Sequence, residues 1–227
     1  MKRGNRRRIV SFLALLLVAS LLFSLTSCNR SYDEEEVLTA AEELLRRGEI
    51  LNAVYYGKGI NYLSTGYSNG AYYEADPHHL RTLGFDTIEE LQRMTEETFT
   101  SGYSLQIYST VLSSISDEDG LYVMARYYQQ NDVLDPDTPV CIMVYAGYEG
   151  IFDGNMVYDY STLSVAGVKK DRVYVTVEAD VRDDDGHAQT HTIRVTLIEE
   201  KNGWRIDSPT WANYNPNADR YNDLINK

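Results

Sequence analysis

An α+β fold is predicted for this chain, with helices in the first half and an antiparallel sheet in the second. Three observations predict it. Apolar residues recur at helical spacing from Val37 onward and again from Ile88 toward Phe99. From Leu121 the period drops to two, with Leu121, Val123, Ala125 and Tyr127 alternating against Tyr122, Met124, Arg126 and Tyr128. In the last third, the turn sequences Asp183-Asp184-Asp185-Gly186 and Asn202-Gly203 separate alternating runs. Helices grouped ahead of strands, instead of alternating with them, mark the α+β class.

The first helix begins at Asp33, a capping residue. Glu34, Glu35 and Glu36 favour its positive end, and Arg46 and Arg47 its negative end. Val37, Leu38, Ala41, Leu44 and Leu45 form its apolar stripe, and Gly48 is the expected stop. A second short helix is expected over residues 50–56. Residues 60–84 lack a clean period and read as a long irregular segment. Asp86 and Glu89 have capping-box spacing ahead of Ile88, Leu91 and Met94. Another helix is expected from Ser104 to Ile115, with Leu105, Tyr108, Val111, Leu112 and Ile115 on one side.

Strands follow. Residues 140–146 are nearly continuous apolar residues, and a further strand falls within Met156 to Val168. Val173, Val175, Val177, Ala179 and Val181 share one face of the next strand, and Ile193, Val195 and Leu197 one face of its return. Trp204 and Ile206 finish the meander. The helices are expected to cover one face of a single curved sheet. The tail past Asn213 is polar, and no repeat or second domain is evident.

Ahead of this domain stand Lys2, Arg3, Arg6, Arg7 and Arg8, then an apolar run from Ile9 to Leu25, with no acid before Asp33. That order is the pattern of an export signal. The alternative is an uncleaved anchor, since ~17 apolar residues are near the lower limit for a span. Leu25-Thr26-Ser27-Cys28 resembles the lipobox of bacterial lipoproteins. The resemblance implies a diacylglyceryl group on Cys28, cleavage before it, and attachment to the extracytoplasmic face of the cell membrane. Two acyl chains hold a protein stably where one does not. The expected organisation is a signal peptide over 1–27, a short tether over 28–32 and one domain over 33–227.

Cleavage there removes five of the 21 basic residues and none of the 34 acidic ones, leaving a net charge of −18 on 200 residues. So acidic a chain is unsuited to nucleic acid. It is also repelled by anionic lipid, so the acyl group has to supply the membrane affinity. With Cys28 acylated, Cys141 has no partner for an internal disulfide. Its setting, Val140-Cys141-Ile142-Met143-Val144, reads as a buried strand. The chain has 19 tyrosines against five phenylalanines and two tryptophans. Tyrosine combines an apolar body with a polar tip, which suits partly wet interfaces, and it also favours strands.

The order of elements resembles the nuclear-transport-factor-2-like (cystatin-like) domains found in many bacterial lipoproteins. Leu51-Asn52-Ala53-Val54-Tyr55-Tyr56-Gly57-Lys58-Gly59 and Gly203-Trp204-Arg205-Ile206-Asp207-Ser208-Pro209-Thr210 are similar to segments of lipoproteins of Gram-positive gut bacteria. Gly84-Phe85-Asp86-Thr87-Ile88-Glu89-Glu90-Leu91 resembles the helix start of IseA-type inhibitors of cell-wall DL-endopeptidases. The resemblance spans most of residues 35–211. It implies fold more than activity, because such domains include enzymes, inhibitors and binding modules.

The chemistry-bearing patterns are weak. His187 and His191 lie four apart on an expected strand, ~13 Å, too far to share one ion. His78 and His79 fall in the expected loop. Asp183-Asp184-Asp185-Gly186 lacks the alternating acids of a calcium loop and reads as a charged hairpin tip. No nucleophile elbow, phosphate loop or dinucleotide fingerprint is present, so no cofactor or metal is expected. The strand residues Tyr145, Tyr158, Asp159 and Tyr160 are those that could line a pocket between sheet and helices. An inward Asp159 beside tyrosines would have a perturbed pKa. The expected function is a tethered, non-catalytic binding or inhibitory module for a cell-envelope protein, such as a wall hydrolase, or a wall fragment. The alternative is a small-molecule enzyme or ligand carrier using the pocket.

Overall fold

The computed structural model describes residues 32–116, 122–131, 139–148, 156–182 and 188–210. Within them the chain is mixed α+β, and the strands form antiparallel sheets. Cys28, the Asp183–Gly186 turn, His187 and the tail past Asn213 lie outside the described residues.

Helix α1 runs over Glu34–Tyr55. The Asp33 carboxylate caps it, accepting from the backbone N–H of Glu35 at 3.0 Å and Glu36 at 3.4 Å. The two helices expected here are one, because Gly48 sits inside α1 and not at its end. A mid-helix glycine costs about 1 kcal/mol. Leu44, Leu45, Leu51, Val54 and Tyr55 are buried on both sides of it. Each such side chain contributes about 1.5–3 kcal/mol, so burial outweighs the glycine. The helix stops where the N–H groups of Tyr56 and Gly57 both return to the Asn52 carbonyl.

Residues 60–84 are more ordered than their sequence suggests. Strands β1 (Ser68–Asn69) and β2 (Tyr72–Glu74) form a hairpin, and α2 follows over Pro77–Leu83. Asp76 caps α2 by accepting from His78 N–H at 2.8 Å, Pro77 opens it, and Gly84 closes it at φ 89. His78 and His79 therefore stand on a helix. A seven-residue helix that buries only Leu80 leaves no readable period.

Helix α3 covers Ile88–Thr98 and α4 covers Ser101–Val111. The cap of α3 is Thr87, one residue past the expected Asp86. Thr87 Oγ1 accepts from Glu90 N–H at 3.1 Å, and Glu90 returns to accept from Asp86 N–H at 2.7 Å. Helix α4 starts earlier than expected, at a Thr100 cap. Its buried residues are Ser104, Ile107 and Val111, while Leu105 is 66% exposed. Ile115 leaves the helix for β3 (Ile115–Ser116), which pairs with β4 (Tyr122–Val123).

The expected strand from Leu121 to Tyr128 is interrupted. Ala125, Arg126 and Tyr127 are all buried in succession, which an alternating strand cannot achieve, and β5 begins only at Tyr127 (Tyr127–Gln130). Strand β6 (Cys141–Tyr145) pairs with both β5 and β2. The expected single sheet is thus two four-stranded sheets among the described residues, beside the short β3–β4 pair. A small one has the order β1-β2-β6-β5. A long one, order β10-β9-β8-β7, is built from β7 (Met156–Lys169), β8 (Arg172–Arg182), β9 (Ala188–Glu200) and β10 (Gly203–Ile206).

The β7–β8 connection is the two-residue turn Lys170-Asp171, with Lys170 in the left-handed region at φ 60. The β9–β10 turn is Lys201-Asn202, one residue before the expected pair, since Glu200 already faces Gly203. One side of the long sheet is aliphatic: Val173, Val175, Val177, Ala179, Ile193, Val195, Leu197 and Ile206 are all buried. These side chains share a core with Val37, Ala41, Leu44 and Leu45 of α1 and Leu91 of α3. No helix among the described residues is long and apolar enough to cross a membrane.

Candidate functional site

Residues 42, 46 and 49 fall at four- and three-residue spacing, so they share one face of α1. That face meets β7. Arg46 donates to Glu42 Oε1 from Nη2 at 2.7 Å and from Nε at 3.1 Å. Its guanidinium lies over the Tyr160 ring, 4.1 Å from the centroid. Tyr160 and Tyr158 are two apart on β7 and therefore on the same side, with centroids 5.8 Å apart. Glu49 is half-buried between helix and strand. Burial pushes its carboxyl above the usual range, against the opposing pull of the Tyr160 hydroxyl and the Arg46 charge. Burial likewise raises both tyrosines, and the Glu49 charge adds to it.

The chain after β10 is pinned beside this cluster. The Tyr158 hydroxyl donates to the Thr210 carbonyl. Asn52 Nδ2 donates to Thr210 Oγ1 at 2.7 Å, and both residues are buried. A Cβ on Gly48 would stand 3.6 Å from the same hydroxyl, an ordinary contact, so the segment lies close on α1 at this point.

Of the four strand residues singled out by sequence, the structure brings two together. Tyr158 and Tyr160 meet. Asp159 faces the other way, as strand alternation dictates, and is exposed. Its carboxylate accepts from Ser161 N–H at 3.0 Å and Ser161 Oγ at 2.6 Å. The acid beside the tyrosines is Glu49 from the helix. The signal that could have found it was the 42/46/49 spacing, had α1 not been expected to stop at Gly48. Tyr145 belongs to the other sheet, where it packs on Tyr72 with centroids 5.4 Å apart.

The small sheet carries a second cluster that sequence reading missed. Arg126 is 3% exposed. It donates from Nη1 to the Tyr55 carbonyl at 2.8 Å and from Nη2 to the Gly57 carbonyl at 2.7 Å. The Tyr148 ring lies 4.0 Å from its guanidinium carbon. These carbonyls belong to the negative end of α1, so the helix itself compensates the buried charge. The Tyr127 hydroxyl donates to Val54 O at 2.7 Å and accepts from Ile60 N–H at 3.1 Å. Burial pushes Tyr127 up to about 12. Gly59, at φ 78, is required here, because a Cβ would fall 2.2 Å from Arg126 Nη2. The 51–59 segment is thus a cradle for one arginine.

Around the cradle the tyrosines stack outward. Tyr72 packs on Tyr128 at 4.8 Å and Tyr62 on Tyr73 at 5.1 Å, with Tyr62 42% exposed. Cys141 is half-buried with Sγ 3.6 Å from Met143 Sδ, and burial raises its thiol, which makes it a poor nucleophile. His79 Nδ1 accepts from Asn61 N–H at 2.9 Å, a structural use. No group of three or more His, Cys, Asp or Glu side chains set to hold a metal ion occurs among the described residues.

Chemically, the α1–β7 cluster can hold a proton and offer hydrogen bonds at a surface. The helix-covered side of the long sheet is filled by aliphatic side chains along β8 and β9, while Tyr158, Tyr160 and the half-buried Glu49 of α1 close it at β7. No family model, curated protein or solved structure matches this chain.

Proposed function

We propose that this chain is a lipid-anchored extracytoplasmic module that binds, and in doing so can inhibit, a cell-envelope protein such as a wall hydrolase, or a wall fragment. The finer fold reading goes with it: α1 lying on the four long strands is taken as a nuclear-transport-factor-2-like (cystatin-like) arrangement, extended by the small sheet. The observation that carries the proposal is the filled face of the long sheet. Small-molecule chemistry of this fold needs a pocket there, with an inward acid or base. Here the space is occupied by side chains, aliphatic along β8 and β9 and aromatic at β7, and the one acid beside them, Glu49, is taken up by Tyr160 and Arg46. Recognition then falls to the outside, where half-exposed tyrosines are concentrated on the small sheet.

Helix α1 sets the geometry of that presentation. The tether leads into its first turn, and the small sheet grips its last. The 22 residues of α1 put about 33 Å between the two ends. A Cys28 anchor at one end leaves the tyrosines at the other. The lipid part is tested with an acyl probe in cells: the wild-type chain takes label, and Cys28→Ala takes none and accumulates as precursor. Label on Cys28→Ala refutes it. The binding part is tested with the detergent-solubilised full chain, purified cell walls and a purified wall hydrolase. The chain is expected to co-sediment with walls or suppress hydrolysis, and Tyr62→Ala with Tyr145→Ala to reduce either effect at least tenfold. Neither effect at micromolar protein refutes it.

A further inference from the structure

A groove of about 370 Å³ runs along the N-terminal half of α1, lined by Asp33, Glu35, Glu36, Glu43 and, from β10, Trp204. The helix dipole accounts for acids in the first turn. It does not account for Glu43, more than two turns on. The cations nearby do not neutralise the groove either: Glu43 has Arg47 at 3.9 Å, exposed on both sides.

The second observation is independent of charge. Trp204 is only 8% exposed, yet its indole N–H has no hydrogen-bond partner among the described residues. Tyr32 leans edge-on against the indole at 5.1 Å, and its own hydroxyl is buried without a partner among the described residues. The indole N–H of a residue that lines the groove therefore lacks an acceptor, and a carbonyl oxygen satisfies it.

We propose that this groove docks a basic, extended peptide segment of a partner protein. Such a segment offers both missing things at once. Its Lys or Arg side chains meet Glu36 and Glu43 and lie against the Trp204 ring, where a cation is attracted to the π face. A main-chain carbonyl takes the indole N–H as the Tyr32 ring swings aside. The length also fits. From Asp33 to Glu43 the helix rises about 15 Å, which an extended chain covers in about four or five residues. A single lipid headgroup would leave most of it empty. The proposal holds whether or not Cys28 is acylated and whether or not the tyrosine surface binds anything.

The test uses the full chain in detergent with Trp211→Phe, which leaves Trp204 as the single indole of the two in the sequence. The probe is an acetylated, amidated octapeptide of alternating lysine and alanine. The Trp204 indole N–H resonance is expected to move on titration. Glu36→Gln with Glu43→Gln, both at the surface, is expected to weaken the peptide at least tenfold. Spermidine, which has the charge but no carbonyl, is expected to move the indole resonance far less than the peptide does. Unchanged peptide affinity in the double variant overturns the proposal, as does an indole resonance that stays still or moves equally with spermidine. A shift with phosphatidylcholine vesicles and none with peptide also overturns it, in favour of a headgroup.

Discussion

The long sheet and the small sheet grip the same helix by different means. The long sheet shares a core with α1 through Val173, Val175, Val177, Val195 and Leu197, which act through non-directional burial. Against the C-terminal end of α1, the small sheet presents Arg126, Tyr127 and Tyr148, which act through directed hydrogen bonds to carbonyls and ring contacts. The first kind of contact tolerates changes that keep volume. The second does not tolerate loss of one polar partner, because the other is left buried and unpaired. The same difference separates their outer surfaces. The long sheet can leave its far side polar and solvated, as at Thr176, Glu178 and Arg194, while the small sheet ends in stacked tyrosines.

The strongest way to break this comparison is to remove the arginine. Arg126→Met keeps much of the volume but strands the Tyr55 and Gly57 carbonyls. Urea unfolding should show a loss of about 3 kcal/mol or more, and Arg126→Lys should recover little, since one ammonium cannot span both carbonyls. A loss under ~1 kcal/mol would remove the distinction between the sheets. Tyr127→Phe should cost about 1–3 kcal/mol, because Val54 O and Ile60 N–H both lose their partner while the ring stays. The matched change on the long sheet, Leu197→Met, should cost less than about 1.5 kcal/mol. If it costs more than Tyr127→Phe, the aliphatic half is the more specific of the two.

The smallest effect is on the α1–β7 cluster and depends on pH. Glu49 has a raised carboxyl pKa in the fold, so folding favours its protonated form. Its charged form opposes folding as pH rises through that value, and the opposition vanishes in acid below the ordinary glutamate range. Glu49→Gln should therefore stabilise the protein at neutral pH and leave it unchanged in acid. The gain should be about half a kcal/mol or less, since the carboxylate keeps water on one side. Thermal unfolding scanned over pH reads both limbs, and a destabilised Glu49→Gln at neutral pH reverses the assigned sign.

How far the sequence could be read depended on the range of the interactions involved. The cap at Asp33, the stripe of α1, and the alternation of Val173 to Ala179 and of Ile193 to Leu197 were all legible. Each is a local pattern with its period written in neighbouring residues. Tyr158 and Tyr160 were legible as a pair for the same reason. Their acid was not: Asp159 is adjacent in sequence but opposite in space, and Glu49 comes from a helix more than a hundred residues earlier.

The α+β class and the strand periods of the long sheet follow from the sequence by itself, because side-chain periodicity and turn chemistry act over a few residues. Tertiary structure decided that Gly48 continues a helix, that the strands split between separate sheets, and that Arg126 lies buried. Those outcomes depend on which distant groups arrive to cover a glycine or to supply carbonyls to a guanidinium. No stretch of neighbouring residues carries that information.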